Sequence, residues 1–308
     1  MWIADNWKDY EVLECSAGEK LERWGKYLVV RPDPQVIWNT ARTHEGWKEN
    51  HGVYHRSEKG GGNWELHGLP QEWSVSYEAA AVRSSASAAA GRPLTLTFRL
   101  KPFQFKHTGL FPEQAANWEW FMPIIAREAA KRRMDEPVRI LNLFAYTGGA
   151  TAAAGAAGGV VTHVDASKGM VAWAKENFTE SGLSRIPARF LVDDCEKFVR
   201  REIRRGKKYD AVILDPPSYG RGPGGEVWKL EDAIYDLLVL IKEVVSDHPL
   251  FFLLNSYTTG LQPLVMRDLI ALTLAAGRGG TLAADELALP VKTQDIALPC
   301  GASARWCV

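Results

Sequence analysis

The chain has 308 residues, of which 46% are hydrophobic and 24% charged, and its 37 basic side chains balance 37 acidic ones. That composition describes a globular protein and excludes disordered, fibrous and collagen-like classes, and no apolar run nears the roughly 18 residues of a membrane span. Zero net charge removes any bulk attraction to nucleic acid while leaving room for a local basic patch.

The opening "MWIADNWKDYEV" lacks the basic head and apolar stretch of a secretory signal, so a cytoplasmic location is expected. The four cysteines, Cys15, Cys195, Cys300 and Cys307, include no CxxC pair, which argues against a disulfide framework or a zinc ribbon; no metal is expected. Through residue 100, "KYLVVRPDP", "WSVSYEAAAVRS" and "LTLTFRLKPFQF" alternate at a period near two, as half-buried antiparallel strands do. Seven of the chain's tryptophans fall in this region, and interior packing is the favoured use for them. "EKGGGNWELHG" reads as a glycine-rich turn and 84–94 as a linker or hairpin loop. Apolar residues at helical spacing in "AANWEWFMPIIAREAAKRR" then predict a helix.

From residue 137 the rhythm changes. Five short apolar runs, "VRILNLF", "VVTHVDAS", "ARFLV", "YDAVILDPP" and "PLFFLLNSY", alternate with amphipathic stretches. This is an α/β pattern: a parallel sheet buried on both faces, with ligands expected beyond the carboxyl ends of its strands.

Those strand ends carry the candidate site. After the first, "NLFAYTGGA" places Gly148 and Gly149 where the chain turns into a helix, letting a ligand approach the backbone. Neither the G-x-G-x-x-G spacing of a dinucleotide site nor a P-loop lysine is present. Asp165 follows the second strand, positioned to accept from ribose hydroxyls, while Asp165 or Ser167 also caps the next helix. Asp193 and Asp194 follow the third; either suits an adenine amine, and spacing leaves the choice open. In "DPPSY", Asp215 ends the fourth strand and Pro216–Pro217 force a rigid extended turn. The carboxylate and turn carbonyls then meet the N–H groups of a planar heterocycle, and Tyr219 offers a ring to stack on it.

Taken together, the loop, the acid after the second strand and the DPPSY tetrad resemble a class I S-adenosylmethionine-dependent methyltransferase. "FKHTGLFPEQ" (105–114) and "LNLFAYTGG" resemble segments of large-subunit ribosomal RNA methyltransferases acting on cytosine C5 or guanine N7; the likeness covers about 101–300. The resemblance implies a Rossmann-like domain over 101–308, with a mostly parallel seven-stranded sheet and helices on both faces, after a β-rich region at 1–100. It implies S-adenosylmethionine as cofactor, held by Thr108, Gly109, Phe111 and Gln114, by Phe144, Ala145, Tyr146, Thr147, Gly148 and Gly149, and by Asp165, Ala166 and Ser167. Asp194 or Asp193 would meet the adenine, Asp215 would stand beside both the cofactor's sulfonium and the acceptor, and Pro216, Pro217 and Tyr219 would meet the acceptor. RNA, ribosomal by the same likeness, is the implied partner.

Attack at cytosine C5 needs a cysteine thiolate added to C6. The turns "NSYTTG" and "DPPSYG", where relatives carry it, hold none, so direct transfer without a covalent intermediate is expected. Arg221, Trp228 and Lys229 follow the tetrad in a glycine-rich stretch (221–232) that reads as a lid, and are candidate substrate contacts. Arg200, Arg201, Arg204, Arg205, Lys207 and Lys208 form either a phosphate-binding face or a solvated helix. Three other classes remain: a methyltransferase for a small molecule or protein, a nicotinamide-dependent oxidoreductase, and a non-catalytic RNA-binding module.

Overall fold

Continuous apolar runs become central strands because both sides of each strand meet helices. The computed structural model describes residues 1–57, 61–79, 94–103, 106–133, 135–221, 227–258 and 260–308. Residues 84–93 of the loop expected at 84–94, the glycines of the lid stretch at 222–226 and part of the turn near residue 60 lie outside the described residues.

The first hundred residues give β1 (Trp2–Ile3), β2 (Tyr10–Ser16), β3 (Glu19–Trp24), β4 (Tyr27–Pro32), β5 (Gly52–Arg56), β6 (Gly62–Leu66), β7 (Trp73–Ala79) and β8 (Leu94–Leu100). Then come α1 (Ala115–Ala129), β9 (Arg139–Leu143), α2 (Gly149–Ala156), β10 (Val160–Asp165), α3 (Lys168–Glu180), β11 (Ala188–Val192), α4 (Cys195–Arg204) and β12 (Ala211–Leu214). A short hairpin, β13 (Tyr219–Arg221) and β14 (Val227–Lys229), leads to α5 (Leu230–Lys242), β15 (Phe251–Ser256) and α6 (Pro263–Leu272). Two long strands, β16 (Thr281–Val291) and β17 (Ile296–Cys307), close the chain.

The carboxyl-terminal part forms a seven-stranded sheet in the order β11-β10-β9-β12-β15-β17-β16, parallel except where β17 runs against its two neighbours. Adjacent residues of one strand enter opposite halves of the core: Ile140 and Phe251 on one face, Leu141 and Phe252 on the other. That two-sided burial explains the unbroken apolar runs. The final antiparallel pair, β16 and β17, has no counterpart among the strands expected from the sequence.

The amino-terminal strands continue this sheet instead of standing apart. β2 meets β16 through Val12 and Val291, and β3 to β6 extend outward from β2. The β7–β8 hairpin lies on α3, where Arg99 N donates to Asn177 Oδ1 at 2.9 Å and Trp173 Nε1 to Arg99 O at 3.0 Å. The seven tryptophans of this region are buried or half-buried, so they pack within the structure.

One buried charge cluster ties β3 and β4 to the segment that precedes α1. Glu22 is fully buried and accepts from Arg31 Nε at 2.6 Å, Arg31 Nη2 at 2.8 Å and Tyr10 OH at 2.7 Å. Arg31 Nη1 donates onward to Lys106 O at 2.7 Å, and Lys106 Nζ returns a bond to Pro32 O at 3.1 Å. Against the penalty of burial, the charges of Arg31 and Lys20 hold the Glu22 carboxyl down at about 2. Removing one partner strands the other charge in the interior. Arg31→Met should therefore lower stability by about 3–5 kcal/mol, read as a lower urea midpoint.

Candidate active site

Strand β9 has β10 on one side and β12 on the other, reached by connections in opposite directions. The turns leaving these strands part there, opening a crevice at their carboxyl ends. A cavity of about 370 Å³ occupies it, lined from the β9, β10 and β12 turns, from α4 and from the segment before α1.

The turn after β9 is conformationally costly. Phe144 and Tyr146 are both left-handed, at φ 55° and 51°, a region that disfavours residues with a Cβ by roughly 1–2 kcal/mol each. Bonds from Ala145 N to Val164 O (3.1 Å) and from Tyr146 N to Asp165 Oδ2 (2.9 Å) hold it. Phe144 and Tyr146 line the cavity, and Ala145 and Thr147 sit in the buried layer just behind.

The glycines act differently from the expectation. At Gly148, itself at φ 81°, a Cβ would stand 2.8 Å from Ala174 Cβ, and at Gly149 it would stand 2.8 Å from Trp118. They let the helix entered here pack closely on α1 and α3, and Gly149 also lines a small hollow beside the cavity.

Asp165 faces the cavity with Ala166. Its Oδ1 accepts from Ser167 N at 2.8 Å while Oδ2 accepts from Tyr146 N. Burial raises its pKa, and these two amides oppose the rise. Ser167 itself is the helix cap, accepting from Met170 N at 3.4 Å, and is absent from the cavity wall. Geometry separates the paired aspartates. Asp194 lines the cavity while capping α4 through Lys197 N at 2.8 Å; Asp193 turns away into an ion pair with Arg201.

At the end of β12, Asp215, Pro216 and Pro217 form the opposite wall. Burial, followed by the charge of Glu113, pushes the Asp215 carboxyl up to about 7. Tyr219 does not stack there: it is 51% exposed and lies outside the cavity wall. The reason is the β13–β14 hairpin, whose register sets Trp228 opposite Gly220 and turns that indole inward. Trp228 Nε1 donates to Pro217 O at 2.7 Å, and its ring meets Phe144 at 5.4 Å between centroids. Lys229 points to solvent at the start of α5, and Arg221 ends β13 opposite Val227.

The segment before α1 closes the third side. Phe111 lines the cavity, whereas Thr108 and Gly109 stand behind it: Thr147 Oγ1 donates to Gly109 O at 2.6 Å, and a Cβ at Gly109 would fall 2.2 Å from Trp173. Gln114 Nε2 donates to Tyr257 OH at 2.7 Å.

Three groups here were not among the expected ones. His107 lines the wall, its pKa lowered to about 4 by burial and then by Arg31. Glu113 is buried beside Asp215, and burial raises its pKa. Tyr257 sits in the turn after β15, against Phe111 at 5.2 Å. His107 and Glu113 stand within "FKHTGLFPEQ" and Tyr257 within "NSYTTG", so attention to chemistry beyond glycine, glutamine and cysteine would have found them.

Three of the six cations of the basic run pair with acidic neighbours: Arg200 with Glu196, Arg201 with Asp193 and Arg205 with Glu202. Among the described residues no cluster of His, Cys, Asp and Glu is arranged for a metal, and no helix is long and apolar enough to cross a membrane.

Residues 92–244 match the family model of S-adenosylmethionine-dependent methyltransferases. The chain is 33% identical to a crystallised S-adenosylmethionine-dependent methyltransferase from Agrobacterium tumefaciens, with a TM-score of 0.85 over 98% of this chain and 91% of that one. A Streptococcus mutans methyltransferase structure shares the fold at 17% identity, with a TM-score of 0.69 over 98% of this chain and 76% of that one. Ribosomal RNA large subunit methyltransferase K/L of Pseudoalteromonas translucida is 30% identical over 151 residues, which are 48% of this chain and only 20% of that relative's length.

Proposed function

The chain belongs to the S-adenosylmethionine-dependent methyltransferases, and from that membership we propose that its acceptor is a base of ribosomal RNA, methylated by direct transfer. The observation that carries this reading is the cavity's acceptor end: a carboxylate poised near neutrality, fixed by two prolines and flanked by Trp228, Phe144 and Tyr257. A flat heterocycle with N–H groups meets both demands, aromatic faces for its rings and an acceptor for its protons. The partial match to a ribosomal RNA methyltransferase supplies the direction toward RNA.

The other end fits the cofactor. The Tyr146 hydroxyl is buried with no hydrogen-bond partner among the described residues, and Asp165 keeps acceptor capacity toward the cavity after its two amide bonds. In this reading Asp165 accepts from the ribose hydroxyls, Asp194 from the adenine amine, and Phe144 and Tyr146 wall the methionine part. When bound, the cofactor supplies an electrophilic methyl group. Asp215 holds the acceptor in line and takes hydrogen bonds from its N–H, so positioning is the main catalytic contribution.

The ion pairs of Arg200, Arg201 and Arg205 favour a second reading, a free metabolite as acceptor, because they reduce the charge that this face offers to phosphates. Nucleoside mass spectrometry on ribosomal RNA from cells with and without the protein separates the two: one methylated nucleoside should vanish with the gene. An unchanged nucleoside profile would move the acceptor to a small molecule.

Asp165→Ala should weaken S-adenosylhomocysteine binding by about 1–3 kcal/mol in calorimetry through loss of its charged hydrogen bonds. For Asp215 the sign comes from a raised pKa: below about 7 the carboxyl is protonated, presents an O–H donor and is a weaker, uncharged acceptor. Transfer should rise with pH up to about 7 and level off above, and Asp215→Asn should abolish that limb together with most turnover.

A further inference from the structure

Behind the acceptor end lies a buried relay of side-chain amides with a cation at its far end. Arg305 Nε donates to Asn117 Oδ1 at 2.7 Å. Asn117 Nδ2 donates to Gln114 Oε1 at 2.8 Å and to Asn255 Oδ1 at 2.9 Å. Asn255 Nδ2 adds a bond to Gln114 Oε1 at 3.1 Å, and Gln114 Nε2 reaches the Tyr257 hydroxyl at 2.7 Å.

An amide network of this kind has two directions, differing by exchange of oxygen and nitrogen in every member. A guanidinium removes the choice because it only donates. Asn117 must then offer its oxygen to Arg305 and its NH2 inward, and every later amide is set in turn. The Tyr257 oxygen ends as an acceptor from Gln114, which leaves its own proton to donate toward the cavity that the ring lines. Burying Arg305 for packing alone would be costly. It is 7% exposed, one Nη has no partner among the described residues, and the Trp2 ring, 3.6 Å away, offsets only part of the desolvation.

We propose that Arg305 is a positioning residue for methyl transfer: it sets the direction of this relay so that Tyr257 enters the acceptor end as a hydrogen-bond donor beside the accepting carboxylate of Asp215. The pair selects an acceptor whose edge carries an N–H next to a carbonyl oxygen or an unprotonated ring nitrogen. This rests on the proposed function, in which the acceptor lies at Asp215.

The test uses the full chain labelled with [13Cζ]tyrosine and loaded with S-adenosylhomocysteine, the Tyr257 resonance being identified by its loss in Tyr257→Phe. Arg305→Gln, which can accept as well as donate, should shift that resonance; Arg305→Lys, still donor-only, should not. Turnover on unmethylated large-subunit ribosomal RNA transcript should fall roughly tenfold in Arg305→Gln, the worth of one misdirected hydrogen bond, with S-adenosylhomocysteine affinity kept. Gln114→Glu, whose carboxylate only accepts, should produce the same shift and serves if Arg305→Gln does not fold. An unmoved resonance in Arg305→Gln or Gln114→Glu, or an equal shift in Arg305→Lys, overturns the proposal. A wild-type protein that leaves the transcript unmethylated while the resonances behave as expected would instead sink the ribosomal RNA reading.

Discussion

The site depends on strand β9 having its two neighbours reached in opposite directions. Connections through α2 lead to β10, and those through α4 return across to β12, so the turns at these strand ends diverge and leave a hollow. Into that hollow the β9 turn projects Phe144 and Tyr146 in left-handed backbone, held by amide bonds to the end of β10. One carboxylate, Asp165, both pins this turn and faces the cavity. Local strain and the ligand-facing acid are therefore parts of the same arrangement, which ties the turn's conformation to the carboxylate's position.

The amino-terminal strands contribute to this wall through electrostatics. Arg31 and Lys106 exchange bonds with backbone carbonyls on each other's segments, fixing the stretch that leads into His107 and Phe111. Burial and then the same cations keep the His107 imidazole neutral, since a proton on it would face Arg31 and Lys106 at close quarters in a dry region. The cavity thus has an uncharged, aromatic third side, suited to a ring and not to a phosphate.

Legibility tracked physical cause. Strands β9, β10, β11, β12 and β15 were readable because burial on both faces demands unbroken apolar runs. The closing pair β16 and β17 was not, because Ala-rich segments containing Pro290 and Pro299 contradict strand propensity; a register shift near Leu287 and Ala288 accommodates them. Acids at strand ends could be located by counting residues, which reaches Asp165, Asp215 and the pair Asp193–Asp194; only the ion pair of Asp193 with Arg201 separates that pair. Tyr219 was misplaced because its direction depends on the pairing of β13 with β14, a tertiary register no local pattern reveals. Helix packing, invisible in a linear sequence, is likewise what claims Gly148 and Gly149.

The acceptor end also constrains the chemistry. Asp215, Glu113 and Tyr257 share one dry region. Burial raises all three, Glu113 raises Asp215 further, and both carboxylates raise Tyr257. Thiol chemistry is disfavoured by the same dryness: burial pushes Cys15 to about 12 and raises Cys195, Cys300 and Cys307 as well. A thiolate nucleophile would have to form against desolvation and, at Cys300, against the charge of Glu113. What the site offers instead is a carboxylate fixed by two prolines, a tyrosine hydroxyl and aromatic walls.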